Sequence, residues 1–245
     1  MLARQALREA LHLRLGLLVG MAGLGLCGGA AGLRQYSFGQ AELKFMADFG
    51  GAVTGLTSMV LAALVPAQLF FRDLESRTMD VLLTRTVRRW EYLAGKFAGT
   101  ACLLAGYIGI LSLLLTMILV RQGRQLGEVQ PVLFPIFFAG ALLWMKCTLV
   151  AAMTLLVCSY AGSALFAGCT GLMLALVGQL RSLPSGGALT VLQVWPNLTL
   201  FNPEKLLTGP ATMVGPWLLG LAFYWAAYLL LLGALASYGL KHREF

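Results

Sequence analysis

Six long runs of apolar residues, separated by polar segments, dominate the pattern of this chain. An α-helix needs about 20 apolar residues to cross the hydrocarbon core of a bilayer. The runs are continuous rather than alternating, and they are too long for the strands of a membrane barrel, so they predict helices. We therefore expect an all-α integral membrane protein, with residues 1–245 forming a single domain. The predicted spans are Leu15–Leu33, Phe49–Phe71, Phe97–Val120, Val132–Tyr160, Ala164–Leu180 and Met213–Leu240.

The residues ahead of the first run, 1–14, have an amphipathic pattern of their own. Leucine and alanine recur at helical spacing, while Arg4, Arg8 and Glu9 lie elsewhere on the helical wheel. This favours a helix that lies in the membrane interface with its arginines towards anionic headgroups. The alternative is a basic anchor that only follows the positive-inside rule. In both cases the segment contacts membrane lipid.

Composition and charge agree with a membrane protein and predict its orientation. The chain is 59% hydrophobic and 11% charged, and its mean hydropathy of +0.80 lies outside the range of soluble proteins. With six spans, the side that holds both termini carries eleven Lys and Arg, against six on the other side. The positive-inside rule then places both termini in the cytoplasm. The net charge of +8 arises largely from the basic residues that set this orientation. The sequence contains no folded basic domain, so nucleic-acid binding is not predicted.

The longest charged segment, Arg72–Lys96, lies between the second and third runs. It holds six of the eighteen Lys and Arg and four of the ten Asp and Glu. Met79, Leu82 and Leu83 fall on one face of a helix, and charged residues cover the other faces. An amphipathic helix of this kind fits a groove on a cytoplasmic partner. The alternative is a helix that simply lies on the membrane surface.

The sequence lacks the residues with which a membrane protein drives transport by itself. The only histidines, His12 and His242, lie near the termini, and no Asp or Glu lies well inside a predicted span. Gly95-Lys96 is followed by Phe97 rather than by Ser or Thr, so the pattern of a P-loop is absent. The sequence contains no G-x-S-x-G motif, so no protease is predicted. We therefore expect no enzymatic activity from this chain, and any uphill transport would need energy from another subunit.

The cysteines and glycines predict packing rather than chemistry. The five cysteines fall inside predicted spans, without a C-x-x-C motif or a neighbouring histidine, so we expect neither a metal site nor a disulfide. Small-xxx-small pairs such as Gly16/Gly20 and Gly25/Gly29 allow helix backbones to approach closely. In the first span this face packs against either a neighbouring helix or a second copy.

The charged segment also contains an ordered set of residues directly after the second span. They are Glu75, Arg77, Thr78, Leu82, Leu83, Arg85, Val87, Arg89, Tyr92, Gly95 and Lys96. This order resembles the cytoplasmic loop of ABC-2 type transporter permeases, although Thr86 stands where many members have proline. The resemblance implies that residues 72–96 carry a coupling helix in a cleft of a nucleotide-binding subunit. That subunit would bind ATP and Mg²⁺, and this chain would bind no cofactor. The residues expected to contact the subunit are Asp73, Glu75, Arg77, Met79, Leu82, Leu83, Arg85 and Arg89.

Residues 181–213, before the last run, combine an apolar piece with several prolines. The apolar piece, Ala188–Trp195, is too short to span a bilayer, and the prolines break it into fragments. The segment is similar to the outer re-entrant helices that precede the last span in these permeases. The same resemblance extends to the interfacial N-terminal helix, the six spans and the basic C-terminal tail.

Lys146 is the one charge predicted at the middle of a span. A lysine at this depth is costly unless it faces a wet cavity, finds a carbonyl group or snorkels. It either lines the conduit or the subunit interface, where it would favour an anionic headgroup, or it snorkels from a shifted or broken fourth span. The sequence leaves both interpretations open.

Together these features predict the permease subunit of an ABC exporter in a bacterial inner membrane. It would pair with a second copy or a paralogue and depend on two copies of a separate ATPase. The alternative is a six-span scaffold or assembly factor that recruits a cytoplasmic partner but transports nothing.

Overall fold

The computed structural model describes residues 14–29, 42–75, 89–126, 133–180, 195–202 and 214–242. All regular secondary structure within these ranges is helical, which confirms the predicted all-α class for this part of the chain. A short 3₁₀ turn comprises Leu198–Phe201. The helices are α1 (Arg14–Gly29), α2 (Glu42–Glu75), α3 (Arg89–Leu126), α4 (Leu133–Cys158), α5 (Ala164–Leu180) and α6 (Val214–His242).

Four of the helices are long and apolar enough to cross a membrane. Their candidate spans are Lys44–Glu75, Trp90–Arg121, Ile136–Cys158 and Trp217–Leu240. Helix α5 is equally apolar but has only 17 residues, which cover about 26 Å at 1.5 Å per residue. The lengths and apolar character of these helices therefore show a multi-pass membrane protein. They do not test the predicted number of six spans, which stays a prediction.

Helices α2 and α3 extend beyond the second and third predicted spans. Helix α2 continues past Phe71 to Glu75, and α3 begins at Arg89, before Phe97. Both ends of the charged segment are thus helical extensions of the spans. Charged side chains in these extensions are buried between the helices. Hydropathy alone does not predict this burial.

Helix α4 is the centre of the bundle. It contacts α2, α3, α5, α6 and the 3₁₀ turn, and every residue from Cys147 to Leu155 is buried. Its apolar core includes Leu61 of α2, Leu104 of α3 and Leu232 of α6. A surface that is apolar on nearly all sides suits a helix that other helices enclose, as it also suits one that faces lipid.

Glycines allow α5 to lie directly against two neighbours. A Cβ atom on Gly168 would lie 2.9 Å from Cδ2 of Leu64 on α2, and one on Gly171 would collide with the side chain of Thr154 on α4. The absence of side chains at these positions brings the helix backbones together. Helix α5 therefore occupies the crevice between α2 and α4.

The glycines of α1 divide between two faces. Gly23 lies against Tyr107 of α3 and Thr57 of α2, so this face packs inside the chain. Nothing in the described residues lies within 4 Å of a Cβ built on Gly25 or Gly29. The Gly25/Gly29 pair is therefore not used for packing within this part of the chain.

Residues 1–13 of the predicted interfacial helix lie outside the described residues. So do 181–194 and 203–213, which make up most of the predicted outer segment.

Candidate functional site

A buried ion pair joins α2 to α3 on either side of residues 76–88. The Nζ atom of Lys96 lies 2.9 Å from Oδ2 of Asp73 and donates a hydrogen bond to Oδ1 at 3.1 Å. The hydroxyl of Tyr92 donates a hydrogen bond to Oδ2 of the same carboxylate at 2.6 Å. Asp73, Tyr92 and Lys96 are 7%, 4% and 7% exposed. We call these three residues the ion-pair cluster.

The local sequence explains how the cluster forms. Tyr92 and Lys96 are four residues apart, so their side chains emerge from the same face of α3. Asp73 lies near the end of α2 and receives both donors. A carboxylate with so little solvent exposure requires such partners, because an isolated buried charge is very costly. Charge pairing thus accounts for three polar side chains between two apolar helices.

Tyr92 also belongs to an apolar core that joins five helices at this end of the molecule. We call it the end core. It combines residues near the ends of α2, α4 and α6 with residues near the beginnings of α3 and α5. In addition, Oγ of Ser159, in the turn after α4, donates a hydrogen bond to the carbonyl oxygen of Ala236 on α6 at 3.1 Å. The members of the end core are Ala67, Phe70, Phe71, Tyr92, Leu93, Cys158, Ala161, Ala167, Ala236 and Leu240.

The residues predicted to contact a nucleotide-binding subunit have different positions. Asp73 is buried in the ion-pair cluster, whereas Glu75 is exposed at the end of α2. Arg89 is the first residue of α3. The remaining five lie outside the described residues, and their partner contacts stay a prediction. They are Arg77, Met79, Leu82, Leu83 and Arg85.

Sequence reasoning did not identify the ion-pair cluster. In the sequence, the spacing of four residues predicts that Asp73 pairs with Arg77 along one helix, and Arg77 lies outside the described residues. Tyr92 and Lys96 were recognised only as members of a motif. The available signal was their spacing of four residues at the beginning of an otherwise apolar helix.

Lys146 lies inside the protein at the middle of α4. It is the 14th of the 26 residues of that helix and is 5% exposed. Its Nζ atom donates a hydrogen bond to Oδ1 of Asn202 at 2.9 Å. The amide is a neutral partner for a positive charge, and it comes from the short segment 195–202.

Two tryptophans beside Lys146 tie α4 to its neighbours. The indole Nε1 of Trp144 donates a hydrogen bond to the carbonyl oxygen of Ala101 on α3 at 2.9 Å. The indole Nε1 of Trp225 on α6 donates to Oγ1 of Thr148 at 2.9 Å. The centroids of the two tryptophan rings are 5.8 Å apart. Nε1 of Trp225 also donates to the carbonyl oxygen of Met145 at 3.1 Å, so each indole contributes a large apolar surface and directed hydrogen bonding.

Directed contacts also hold segment 195–202 against α5 and α6. The indole Nε1 of Trp195 donates a hydrogen bond to the carbonyl oxygen of Leu174 at 3.2 Å. The backbone N–H of Asn197 donates to the hydroxyl of Tyr224 at 2.7 Å. With the Lys146–Asn202 bond, these contacts attach the segment to three helices.

The 3₁₀ turn at the centre of this segment has its own cap and a close packing contact. The side-chain oxygen of Asn197 accepts a hydrogen bond from the backbone N–H of Thr199, which caps the turn. Leu198 is fully buried against α5, where a Cβ atom on Gly178 would lie 2.9 Å from Cγ of Leu198. Only a glycine at this position of α5 leaves room for the turn.

The described residues contain no group of three or more His, Cys, Asp or Glu that could hold a metal ion. Cys102, Cys147, Cys158 and Cys169 are free thiols, two exposed and two buried. The predicted absence of a metal site and of a bound cofactor concerns the whole chain and stays a prediction.

A family model described as ABC-2 family transporter protein matches residues 17–205. The match covers more than three-quarters of the chain. It includes the ion-pair cluster, Lys146 and segment 195–202. No curated protein matches the sequence.

Proposed function

The chain belongs to the ABC-2 transporter family, and we propose that it moves a substrate across the membrane with ATP hydrolysed by a separate nucleotide-binding subunit. The observation that carries this proposal is the family match over residues 17–205, on a helical framework with four helices of spanning length. The ATP and Mg²⁺ would be held by the partner ATPase, and this chain itself would be non-catalytic.

We propose that α1 and α5 complete six spans in a single permease domain over residues 1–245. Both helices pack against α2. They also expose large apolar side chains, such as Leu18 and Met21 on α1 and Leu165 and Phe166 on α5. Lipid would cover these side chains, whereas water would make an apolar patch of this kind unfavourable.

The proposed orientation places both termini in the cytoplasm of a bacterial cell, with the permease in the inner membrane. The asymmetry of eleven basic residues against six supports it. The end core collects the end of α2, the beginning of α3, the turn after α4 and the end of α6. In the proposed topology these are the cytoplasmic ends of their helices.

The proposed coupling segment is Arg72–Lys96, and residues 76–88 would contact the ATPase through Met79, Leu82, Leu83 and their charged neighbours. Closure of an ATPase dimer would push two such segments, one from this chain and one from a second copy or a paralogue. The paired spans would then switch between inward and outward access. The order of residues shared with the family's cytoplasmic loop supports this assignment.

The proposed outer segment, 181–213, would enter the membrane from the outer side before α6. The bond from Lys146 to Asn202 supports this, because it brings the segment to the middle of α4. Lys146 would then lie at the conduit or at the interface with the second permease, and the outer segment would cover it.

A binding experiment tests the proposal. The chain should co-purify with the P-loop ATPase whose gene we expect beside its own, and the complex should hydrolyse ATP. Changing Leu82 and Leu83 to Asp should abolish co-purification and leave membrane insertion intact, because charge would replace the apolar face of the coupling helix. Val129→Asp, in the loop on the other side of the membrane, is the matched control and should retain the ATPase.

The same complex distinguishes a permease from a scaffold. In a permease, ATP hydrolysis by the partner depends on the membrane subunit, so the complex and the isolated ATPase should differ in rate. Equal rates for a stable complex would favour the scaffold, and an undiminished complex with the Leu82→Asp/Leu83→Asp variant would remove these residues from the interface.

A further inference from the structure

The ion-pair cluster lies where the proposed coupling segment meets the membrane-spanning helices. Asp73 is close to the end of α2, and Tyr92 and Lys96 are the fourth and eighth residues of α3. Residues 76–88, which would contact the ATPase, connect the two sides. A force on residues 76–88 would reach α2 and α3 through the end of α2 and the beginning of α3, which the ion-pair cluster joins.

The geometry of the cluster favours one relative position of the two helices. Both oxygens of the Asp73 carboxylate are engaged, Oδ1 by Lys96 at 3.1 Å and Oδ2 by Lys96 at 2.9 Å and Tyr92 at 2.6 Å. Burial leaves the pair poorly screened by water and salt. Separation of the helices would deprive each buried charge of the other, which is strongly unfavourable. The cluster therefore resists independent movement of the two helix ends.

We propose that Asp73, Tyr92 and Lys96 are positioning residues for coupling, which make the ends of α2 and α3 move as one body. This inference rests on the proposed function, because it takes residues 76–88 as the ATPase contact. Displacement of that segment would move both helix ends together. Through Tyr92 and the end core, it would also move the turn after α4 and the end of α6. Asp73 then acts inside the permease and not on the ATPase surface.

A purely structural role predicts a different result. If the cluster only stabilised the fold, its variants would yield less protein, but each folded molecule would couple normally. If the cluster transmits movement, folded variants would still bind the ATPase and would lose the dependence of ATP hydrolysis on the permease. Binding and coupling therefore have to be measured on the same sample.

The first measurement reports the distance between the two helix ends. Spin labels are attached to cysteines at Arg72 and Trp90, both exposed, in the full-length chain with its native cysteines replaced, in lipid nanodiscs. Pulsed electron paramagnetic resonance should give one narrow distance distribution for the parent chain and a broad one for Lys96→Met. Exchange of the charges, Asp73→Lys with Lys96→Asp, should restore a narrow distribution. Tyr92→Phe, which keeps the ion pair, should broaden the distribution less than Lys96→Met.

The second measurement uses the complex with the ATPase encoded beside the chain. Lys96→Met should retain the bound ATPase, while the permease-dependent change in ATP hydrolysis should fall by about fivefold or more, the size of a typical coupling effect. The charge-exchanged variant should recover most of that change. Lys96→Arg, which keeps the positive charge, should behave like the parent chain.

Normal coupling in a folded Lys96→Met variant would overturn the inference, and so would either of two further results. One is a distance distribution that stays narrow in both Lys96→Met and Tyr92→Phe. The other is loss of ATPase binding in Lys96→Met and in the charge-exchanged variant while the label distance stays narrow, which would make these residues ATPase contacts. If Lys96→Met does not fold, Tyr92→Phe and the charge-exchanged variant decide the question. If the parent chain binds no ATPase, the proposed function fails, and the label distances in the chain alone still decide whether the cluster holds the helices together.

Discussion

At the scale of single residues, Lys146 shows how the protein accommodates a charge at the middle of a helix. Its ammonium group is buried and donates to one neutral amide oxygen, that of Asn202. The two members of the contact are not equivalent, because one is charged and the other is not. An interior charge that loses its partner costs more than an interior amide that loses one.

This difference predicts unequal effects of two substitutions. Asn202→Leu leaves the ammonium without its amide partner and should lower the free energy of unfolding by about 2–3 kcal/mol. Lys146→Met removes the charge and leaves only the amide, so it should cost about 1 kcal/mol or less. Thermal and chemical unfolding of the purified variants in detergent measure both. The double variant serves as control and should be more stable than Asn202→Leu alone. A larger loss for Lys146→Met than for Asn202→Leu would contradict this account.

The charges of Lys146, Asp73 and Lys96 could be recognised in the sequence, but the partners of these residues could not. The sequence showed that Lys146 needed a compensating group, yet Asn202 lies 56 residues further along the chain. Asp73 and Lys96 are 23 residues apart, and local helical spacing favoured Arg77 as the partner of Asp73. Such pairs depend on which helices become neighbours. Apolar runs predict where helices form and contain little information about their neighbours.

At the scale of the elements, α5 depends on glycine for its place in the bundle. Gly168 and Gly171 allow contact with α2 and α4, and Gly178 makes room for the 3₁₀ turn. On Gly178 a Cβ atom would approach not only Leu198 but also the backbone carbonyl oxygen of Pro196, at 3.1 Å. A backbone atom cannot turn aside as a side chain does, so the turn itself would have to shift.

Alanine substitutions should therefore have opposite effects at two glycines. Gly178→Ala should destabilise the protein by about 1–3 kcal/mol, since the added methyl overpacks the contact with the turn. Gly109→Ala, on α3, should stabilise by about 0.5–1 kcal/mol, because alanine favours a helix over the unfolded chain and, among the described residues, no atom beyond the nearby backbone of α3 lies within 4 Å of the new Cβ. Unfolding of both variants under one condition gives the comparison. Equal effects at the two positions would show that the turn does not constrain α5.

The elements themselves were largely predictable from hydropathy, and their ends were less so. The fourth run was predicted to end at Tyr160, and α4 ends at Cys158. The second and third runs were predicted to stop before the charged segment, but α2 and α3 continue into it. Hydropathy marks where an apolar run ends and not where the helix ends, and the pairing of Asp73 with Lys96 allows charge to be buried in the helical extensions. This is the physical reason for the difference.

At the scale of the whole molecule, the charge asymmetry predicts which loops face outwards. Single cysteines at Gln35 and Ser185, in a cysteine-free background, should react in whole cells with a thiol reagent that cannot cross the membrane. A cysteine at Ser76 should react only after lysis, because the positive-inside rule places it in the cytoplasm. The fraction of labelled protein before and after lysis gives the result. Labelling of Ser76→Cys from outside would reverse the topology and remove the coupling segment from the cytoplasm.

The class of the molecule could be predicted more completely than its internal connections. An all-helical ABC-2 permease could be predicted from the apolar runs, the charge asymmetry and the ordered residues of Arg72–Lys96. The family match agrees with that prediction. The attachment of segment 195–202 to α4, α5 and α6 was not predictable from Asn197, Trp195 and Asn202 alone. Their partners include Tyr224 and a backbone carbonyl of α5, and backbone carbonyls leave no signature in a sequence.

The contact between Lys146 and Asn202 also has a consequence for the order of synthesis. Ribosomes add about 5–20 residues per second, so Asn202 is made roughly 3–11 s after Lys146, given their separation of 56 residues. Synthesis of α4 reaches its last residue, Cys158, within that interval, while the amide that its charge will bind does not yet exist. The contacts of α4, the helix at the centre of the bundle, are therefore completed late, because segment 195–202 leaves the ribosome only after α5.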